Sequence, residues 1–449
     1  MSQADTVFAL SSGQGPAGVA VLRLSGPAAL DAAARLTGNR LPAPRRAALR
    51  RLYRPDDNSL LDTALVLAFP APASFTGEDM AELHCHGGRA IIAAVTAALL
   101  ALGLRPAQAG EFSRRAFMNG RLDLTAAEGL ADMIAAETEA QRVQALRQAG
   151  GALATLYDDW RARLIEARAL IEATLDFADE EVPDNLFDRV RPALARLAED
   201  IARHLADARR GERLRDGLQI AVIGPPNSGK SSLINALAKR DAAIVSDIPG
   251  TTRDVIEVHL DLAGYPVTIA DTAGLRAGGD PLEAEGMRRA RARAAAADLK
   301  LILGDARKDA LDPALEALID DRAMVLYNKL DLREDGGRVG LSAPAGCLGA
   351  WAVSAKTGAG LDAWLAALAA WAARHFAPSE APAITRARHR QALEAAQAAL
   401  ARALEGGGDD VVLAAEDLRL ASDSLGRITG RVDVEEVLDV IFAQFCIGK

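Results

Sequence analysis

Five short stretches carry residue types that bind a nucleotide, and they occur in a fixed order. "GPPNSGKS" (Gly224–Ser231) fits the spacing G-x-x-x-x-G-K-[ST]. It follows the apolar run "LQIAVI" and opens the helical "SLINALAK", the strand–loop–helix context such a loop requires. Backbone N–H groups of the loop then point at phosphates, Lys230 reaches the β- and γ-phosphates, and the Ser231 hydroxyl binds Mg²⁺. "GTTRD" (Gly250–Asp254) supplies threonines that can complete the Mg²⁺ shell, Thr252 among them. "DTAGLR" (Asp271–Arg276) follows the strand "YPVTIA", which sets Asp271 at a strand end beside the phosphates. "NKLD" (Asn328–Asp331) ends another apolar run. The Asp331 carboxylate can accept from guanine N1–H and the 2-amino group, and adenine offers neither donor. "SAK" (Ser354–Lys356) follows a further strand and closes over the base. Each motif is weak alone; five in order, each at a strand's C-terminal end, read as a guanine-specific GTPase domain.

The nucleotide contacts expected from these motifs form four groups. The first is Asn227, Ser228, Gly229, Lys230, Ser231 and Ser232. The second is Ser246, Asp247, Ile248, Pro249, Gly250, Thr251 and Thr252. The third is Asp271, Thr272, Ala273 and Gly274. The base contacts are Asn328, Lys329, Leu330 and Asp331, with Ser354, Ala355 and Lys356. Leu275 stands where a Ras-like enzyme has a water-orienting glutamine, and an aliphatic side chain cannot do that work. Glu283, in "GDPLEAEG", is a nearby carboxylate; it orients the water or simply opens a solvated helix. Pro249 biases Ile248 to an extended conformation. The carbonyls of Ile248 and Ser246 can then turn toward the phosphates and hold a monovalent cation with the Asn227 amide.

A second chemical candidate is Cys446, in the terminal "FCIGK". It follows "VDVEEVLDVIFAQF", which puts Val434, Val437, Leu438, Ile441, Phe442 and Phe445 on one helical face, with Asp433 and Glu436 spaced as a capping box. The negative end of that helix opposes thiolate formation, so either the tail simply docks and packs or the thiol needs a nearby cation, for which Lys449 is the local candidate. Four residues from the end is a prenylation position, but Gly448 and Lys449 fit that signal poorly. "HCHGG" places His84 and His86 on one face of a strand, yet no third ligand has metal spacing; a turn with partly buried histidines is expected.

Around these residues the chain shows three textures. Up to about residue 118, short apolar strands ("VAVLRLSG", "TALVLAFP") mix with a helix at "AALDAAARLTG". From 119 to 210 the sequence is rich in Ala, Leu, Arg and Glu, and Trp160, Leu164, Ala167, Ile171 and Leu175 recur at helical intervals. Residues 217–376 alternate strands and helices, the mark of a parallel α/β sheet. The proline-bearing "FAPSEAPAITR" leads to a helical segment, 380–449. The expected fold is α/β plus all-α: an N-terminal α/β domain (1–118) and a helical domain in two pieces (119–210 and 380–449), with an inserted Ras-like P-loop domain (217–376).

Composition excludes more than it assigns. A formal charge of −9 argues against a general nucleic-acid coat, and four tryptophans with four tyrosines support no base-stacking surface. The Arg-rich "RRAF", "MRRARAR" and "RARHR" read as solvated helix faces. Three scattered cysteines make no disulfide framework, no run reaches membrane-span length and no secretion signal is visible, so a cytoplasmic location is expected.

With "DTVFAL…GVAVLRLSG", "SFTGEDMAELHCHGG", "AGEFSRRAFMNGRLDLTAAE" and "FCIGK", the sequence resembles the MnmE/TrmE family of tRNA-uridine-modification GTPases over essentially its whole length. The resemblance implies an N-terminal domain that forms a homodimer and binds a 5-formyl-tetrahydrofolate-type cofactor through Arg23, Glu82, Arg121 and Lys449. It implies K⁺ held by Asn227, Ser246, Ile248 and Thr251 where other GTPases use an arginine finger, and Mg²⁺ held by Ser231 and Thr252. It makes Glu283 the water-orienting glutamate and sets Cys446 facing the reaction. It also implies action with an FAD-containing partner on the wobble uridine of certain tRNAs, the folate supplying one carbon.

Three positions depart from the family pattern: Pro225 for a basic residue, Arg121 for a common lysine, and "ALSS" for a usual Ala-Thr pair. Two other readings differ in class. A ribosome-assembly GTPase switch would carry a KH module or a second GTPase domain, and neither is apparent. A folate-dependent methyltransferase with a regulatory GTPase would transfer the carbon by itself.

Overall fold

The computed structural model describes residues 5–13, 15–176, 186–240, 242–244, 257–271, 295–308, 310–333, 343–376, 382–406, 410–432, 435–443, 445 and 448. The chain divides into two compact units. One gathers Met1–Ala131, Gln148–Leu194 and Ala398–Lys449; the other gathers Asp132–Arg147 and Ala195–Gln397.

In the first unit, alternating apolar residues build a sheet from β1 (Val7–Leu10), β2 (Ala17–Ser25), β3 (Ala48–Tyr53), β4 (Leu60–Phe69), β5 (Met80–Gly87) and β6 (Arg105–Pro106). Its order is β3-β4-β5-β2-β1-β6, antiparallel except for the β1–β6 pair. One face buries Phe8, Leu22, Leu24, Val66 and Leu83 against Ala33 and Leu36 of helix Ala29–Leu36 and Val95 and Leu99 of helix Arg89–Ala101. Period-two alternation sends Val7 and Ala9 to the other face, where they meet Phe112 of helix Glu111–Met118.

The long helices Ala152–Asp176 and Val411–Thr429 pack along each other, burying Tyr157, Trp160, Leu164 and Ile171 and Leu418, Ala421 and Leu425. Asp410 caps the second by accepting from the Val412 and Leu413 N–H groups. Helix Glu435–Ala443 sets Leu438, Ile441 and Phe442, with Phe445 beyond it, against Leu124 and Ala127. Leu438, Ile441, Phe442 and Phe445 are four of the six residues of the apolar face the sequence predicted; Asp433 and Val434, and the side chains of Glu436 and Val437, lie outside what the structure describes.

The second unit holds β7 (Leu218–Ile223), β8 (Ala243–Ile244), β9 (Glu257–Leu262), β10 (Tyr265–Asp271), β11 (Leu299–Asp305), β12 (Ala323–Asn328) and β13 (Gly349–Ala352), in the order β13-β12-β11-β7-β10-β9-β8. β7 and β10 to β13 are parallel, while β9 pairs antiparallel with β10 and with β8. Ile220 and Val222 pack with Leu233 and Leu237 of helix Lys230–Ala238 and with Trp364 and Leu368 of helix Leu361–His375. β7 lies between β10 and β11, so the connections leave its C-terminal end at the crevice where open α/β sheets take ligands. Among the described residues, no helix is long and apolar enough to cross a membrane.

β9 and β10 are joined through Ala263 (φ 54°) and Gly264 (φ 89°). A two-residue turn with both φ values positive suits Asn-Gly, and alanine costs about 1 kcal/mol there. Ala263→Asn is expected to stabilise the chain by about 0.5–1 kcal/mol. A denaturation midpoint that falls would count against this reading of the turn.

Two arginine-rich stretches are not the solvated faces expected of them. Arg115 of "RRAF" is buried, paired with Glu111 at 2.9 Å and Glu78 at 3.0 Å. In "RARHR", Arg386 meets Asp132 at 2.7 Å, Arg390 meets Glu212 at 3.2 Å, and His389 is fully buried. Glu78, Asp132 and Glu212 lie far from their arginines in sequence, which periodicity cannot reveal, whereas Glu111 stands one helical turn from Arg115.

Candidate functional site

The loop between β7 and helix Lys230–Ala238 takes left-handed backbone at Asn227 (φ 61°) and Gly229 (φ 94°). At Gly229 any side chain is excluded, because a Cβ would lie 2.2 Å from Asn328 Nδ2. Asn328 is buried and braces the site: its Nδ2 donates to the Ser228 carbonyl at 2.9 Å and its Oδ1 accepts from the Ala355 N–H at 2.9 Å. One side chain thus ties the phosphate loop to the base loop. Lys230 Nζ donates to the carbonyls of Gly224 (2.8 Å) and Pro225 (3.0 Å), at the mouth of the loop. The Ser228 hydroxyl is buried with no hydrogen-bond partner among the described residues. A left-handed turn, a held ammonium and an unsatisfied buried hydroxyl together fit a phosphate group. Ser231 and Ser232 are exposed at the start of the helix. Asp271 ends β10 with its backbone opposite Val222.

At the base end, Ser354 Oγ donates to Asp331 Oδ1 at 2.6 Å and itself accepts from the Thr357 N–H at 3.1 Å. The carboxylate is held there with its remaining lone pairs available to guanine. Lys329 takes left-handed backbone (φ 69°) and donates to Asp305 at 3.0 Å. The Arg307 hydrogen bond, then that of Lys329, hold the Asp305 carboxyl far below the usual range against the opposing effect of burial. Leu330 and Lys356 lie in the same two loops. Ser246, Asp247, Ile248, Pro249, Gly250, Thr251, Thr252, Thr272, Ala273, Gly274 and Glu283 lie outside the described residues. Asn227 and Ser231 are therefore the expected K⁺ and Mg²⁺ ligands that the structure describes.

A second polar cluster lies on the first sheet. The β2–β5 register sets Arg23 opposite Glu82, and the two pair at 2.9 Å. Glu82 also bonds His84 Nε2 at 3.0 Å, and the Arg23 guanidinium lies over the rings of Phe75 (5.7 Å) and Phe112 (5.8 Å). Burial alone would raise the Glu82 pKa. The His84 hydrogen bond and the Arg23 charge outweigh it and keep the carboxyl below its usual range. Its contribution to stability is therefore present above the unfolded carboxylate pKa and lost as pH falls through the lowered folded value.

Arg121 is exposed beside the same loop: a Cβ on Gly77, two residues after Phe75, would stand 3.2 Å from the Arg121 Cγ. Gly448 is buried and its carbonyl accepts from Ser11 Oγ at 2.8 Å. Ser11 continues the Val7–Ala9 alternation, so the tail reaches the sheet face that carries Arg23. Cys446 and Lys449 lie outside the described residues.

Sequence reasoning missed His84 as the partner of Glu82, the two rings beneath Arg23, and the bracing role of Asn328. The i, i+2 spacing of "ELH" already put Glu82 and His84 on one face; the rings are distant in sequence and left no signal. His86 bonds Asp62 at 2.8 Å. Cys85, between the two histidines, points into the core, where burial pushes its thiol up to about 12.

A phosphate loop at the centre of a parallel sheet, tied through Asn328 to the loop that follows β13, defines a P-loop GTPase domain within a larger mixed chain. The family description "MnmE helical domain" fits residues 124–446, and "GTP-binding protein TrmE N-terminus" fits residues 6–121. A relative from Parvibaculum lavamentivorans, named tRNA modification GTPase MnmE, is 56% identical over 448 residues, covering 99% of this chain and 100% of its own. One of the same name from Rhodospirillum rubrum is 56% identical over 460 residues, covering 99% of each chain. Another, from Paramagnetospirillum magneticum, is 55% identical and covers 99% of this chain and 100% of its own. The chain belongs to the MnmE family, also called TrmE.

Proposed function

We propose that the chain hydrolyses GTP in the modification of tRNA, in a potassium-activated reaction coupled to one-carbon chemistry on a folate. With an FAD-containing partner it adds an aminomethyl-type group to C5 of the wobble uridine. The observation that carries the folate half is the Arg23–Glu82–His84 cluster with the Gly448 tail docked on the same sheet face. The residue after Gly448 is the lysine that completes the proposed folate set of Arg23, Glu82, Arg121 and Lys449. Bound folate would supply the one-carbon unit, and Cys446 would face it.

In the GTPase half, the Lys230 ammonium leaves its two carbonyls for the β- and γ-phosphate oxygens, where it offsets the charge that develops as the γ-phosphoryl group departs. The loop N–H groups fix the phosphates, and Asp331 with Ser354 fixes the base. Ser231 and Thr252 would hold Mg²⁺; Asn227, Thr251 and the carbonyls of Ser246 and Ile248 would hold K⁺. These cations would supply positive charge at the phosphates. Glu283 accepts a hydrogen bond from the attacking water, work that Leu275 cannot do.

The same reading includes a homodimer formed through the N-terminal domain.

Hydrolysis is expected to run much faster in potassium than in sodium at equal ionic strength, and equal rates would remove the potassium assignment. In cells lacking the protein, nucleoside mass spectrometry of tRNA should show the wobble uridine without its side chain, restored by the wild-type chain and not by Arg23→Ala. An unchanged nucleoside profile would sink the modification role.

A further inference from the structure

Residues 35–54, "RLTGNRLPAPRRAALRRLYR", hold seven arginines and no aspartate, glutamate or lysine. The chain as a whole carries −9, so setting these seven charges aside leaves −16 on the rest. The fold gathers them on one rim. Arg35 lies in the last turn of helix Ala29–Leu36, and Arg40, Arg45 and Arg46 lie in the connection that follows it. Arg50 and Arg51 lie on β3, an edge strand of the sheet. Arg50 Nε donates to the Arg40 carbonyl at 2.6 Å, which holds the connection against the strand. Strand alternation puts Arg50 and Arg51 on opposite sides of the edge. At about 3.3 Å per residue, the run from Arg46 to Arg54 spreads its charges over roughly 25 Å.

The partners of these arginines set them apart. Arg105, Arg115, Arg402, Arg419 and Arg431 each rest on a carboxylate. Within the rim, Arg54 alone among the described residues approaches one, Asp57 at 3.9 Å. The Arg45 and Arg50 side chains donate to backbone carbonyls. Arg35, Arg40, Arg46 and Arg51 are exposed, and their side chains make no hydrogen bond or ion pair among the described residues. A charge or two protects an edge strand from pairing. The six guanidinium groups without a carboxylate beside them exceed that need and repel one another.

We propose that this rim binds RNA phosphates and that the tRNA backbone lies along β3, an inference resting on the reading of tRNA as substrate. Planar guanidinium forks take phosphate oxygens in pairs. Phosphate contacts position a nucleic acid without reading its sequence, which suits an enzyme that must hold the tRNA body while reaching one base. Peripheral membrane binding favours a basic amphipathic helix, whereas most of these arginines sit on a connection and a strand edge.

The test uses the full chain with Arg35, Arg40, Arg46 and Arg51 all changed to glutamine, titrated against fluorescently labelled tRNA over a salt series. Each phosphate contact contributes about 0.7–0.9 to the slope of log affinity against log salt. The quadruple variant is therefore expected to show a slope shallower by about 3 and at least tenfold weaker binding at low salt, with GTP hydrolysis unchanged. The matching lysine variant keeps the charge and should keep most of the slope; if both variants lose binding equally, charge is not the cause and the proposal fails. Wild-type affinity and slope in the glutamine variant overturn the rim and leave tRNA as substrate. A wild-type chain that binds no tRNA overturns both. Loss of binding only to phosphatidylserine vesicles, with tRNA binding intact, also overturns the proposal, in favour of a membrane surface.

Discussion

Asp331→Asn is expected to weaken GTP binding by about 10²- to 10⁴-fold and to admit xanthosine triphosphate in its place. In the proposed site the carboxylate would accept from guanine N1–H and the 2-amino group, two charge-assisted bonds worth about 1.5–3 kcal/mol each. An asparagine keeps one acceptor and turns a donor toward the 2-amino group, so one bond is lost and two donors face each other. Xanthine carries a carbonyl at that carbon, which the amide N–H₂ can satisfy. The geometry favours a clean exchange: Ser354 Oγ holds Asp331 Oδ1 at 2.6 Å, and an asparagine Oδ1 can accept the same bond. Competition of the two triphosphates against a labelled guanine nucleotide measures the change. Retention of GTP affinity within tenfold would mean that Asp331 does not read the base.

The GTPase half was legible because its chemistry sits in contiguous motifs at the ends of apolar strands. β7, β10, β11 and β12 begin and end within a few residues of where the apolar runs place them, and the loop "GPPNSGKS" needs nothing from elsewhere in the chain to declare itself. The polar cluster proposed to hold folate was suggested only by resemblance. Arg23, Glu82, Phe75 and Phe112 lie far apart in sequence, and only the antiparallel register of β2 with β5 brings the charged pair together.

The arginine rim escaped notice for a different reason. "ALRRLY" places a single fully buried residue, Leu52, on β3, so its alternation is too weak to announce a strand. Without the strand, the seven arginines read as scattered surface charge rather than one edge. The Arg115–Glu78 and Arg386–Asp132 pairs were invisible for the converse reason, their carboxylates lying elsewhere in the chain.

Gly448→Val is expected to lower formyl-folate affinity by about 30- to 150-fold, with loss of the tRNA modification and retention of GTP hydrolysis. Gly448 adopts φ +97°, which L side chains rarely take, and a Cβ there would lie 2.3 Å from the Leu10 carbonyl oxygen and 3.0 Å from the Ser11 Cα. Both obstacles are backbone held in or beside β1, so neither can rotate away. Left-handed strain with a backbone clash amounts to about 2–3 kcal/mol, more than the single Ser11–Gly448 hydrogen bond returns, so the tail spends most of its time undocked. Apparent affinity falls in proportion to the docked fraction, which sets the fold-change. Gly13→Ala is the control: a Cβ there meets nothing within 4 Å, and binding should be unchanged. Calorimetry with 5-formyl-tetrahydrofolate reads both variants. Wild-type affinity in Gly448→Val would show that the docked tail plays no part in holding the folate.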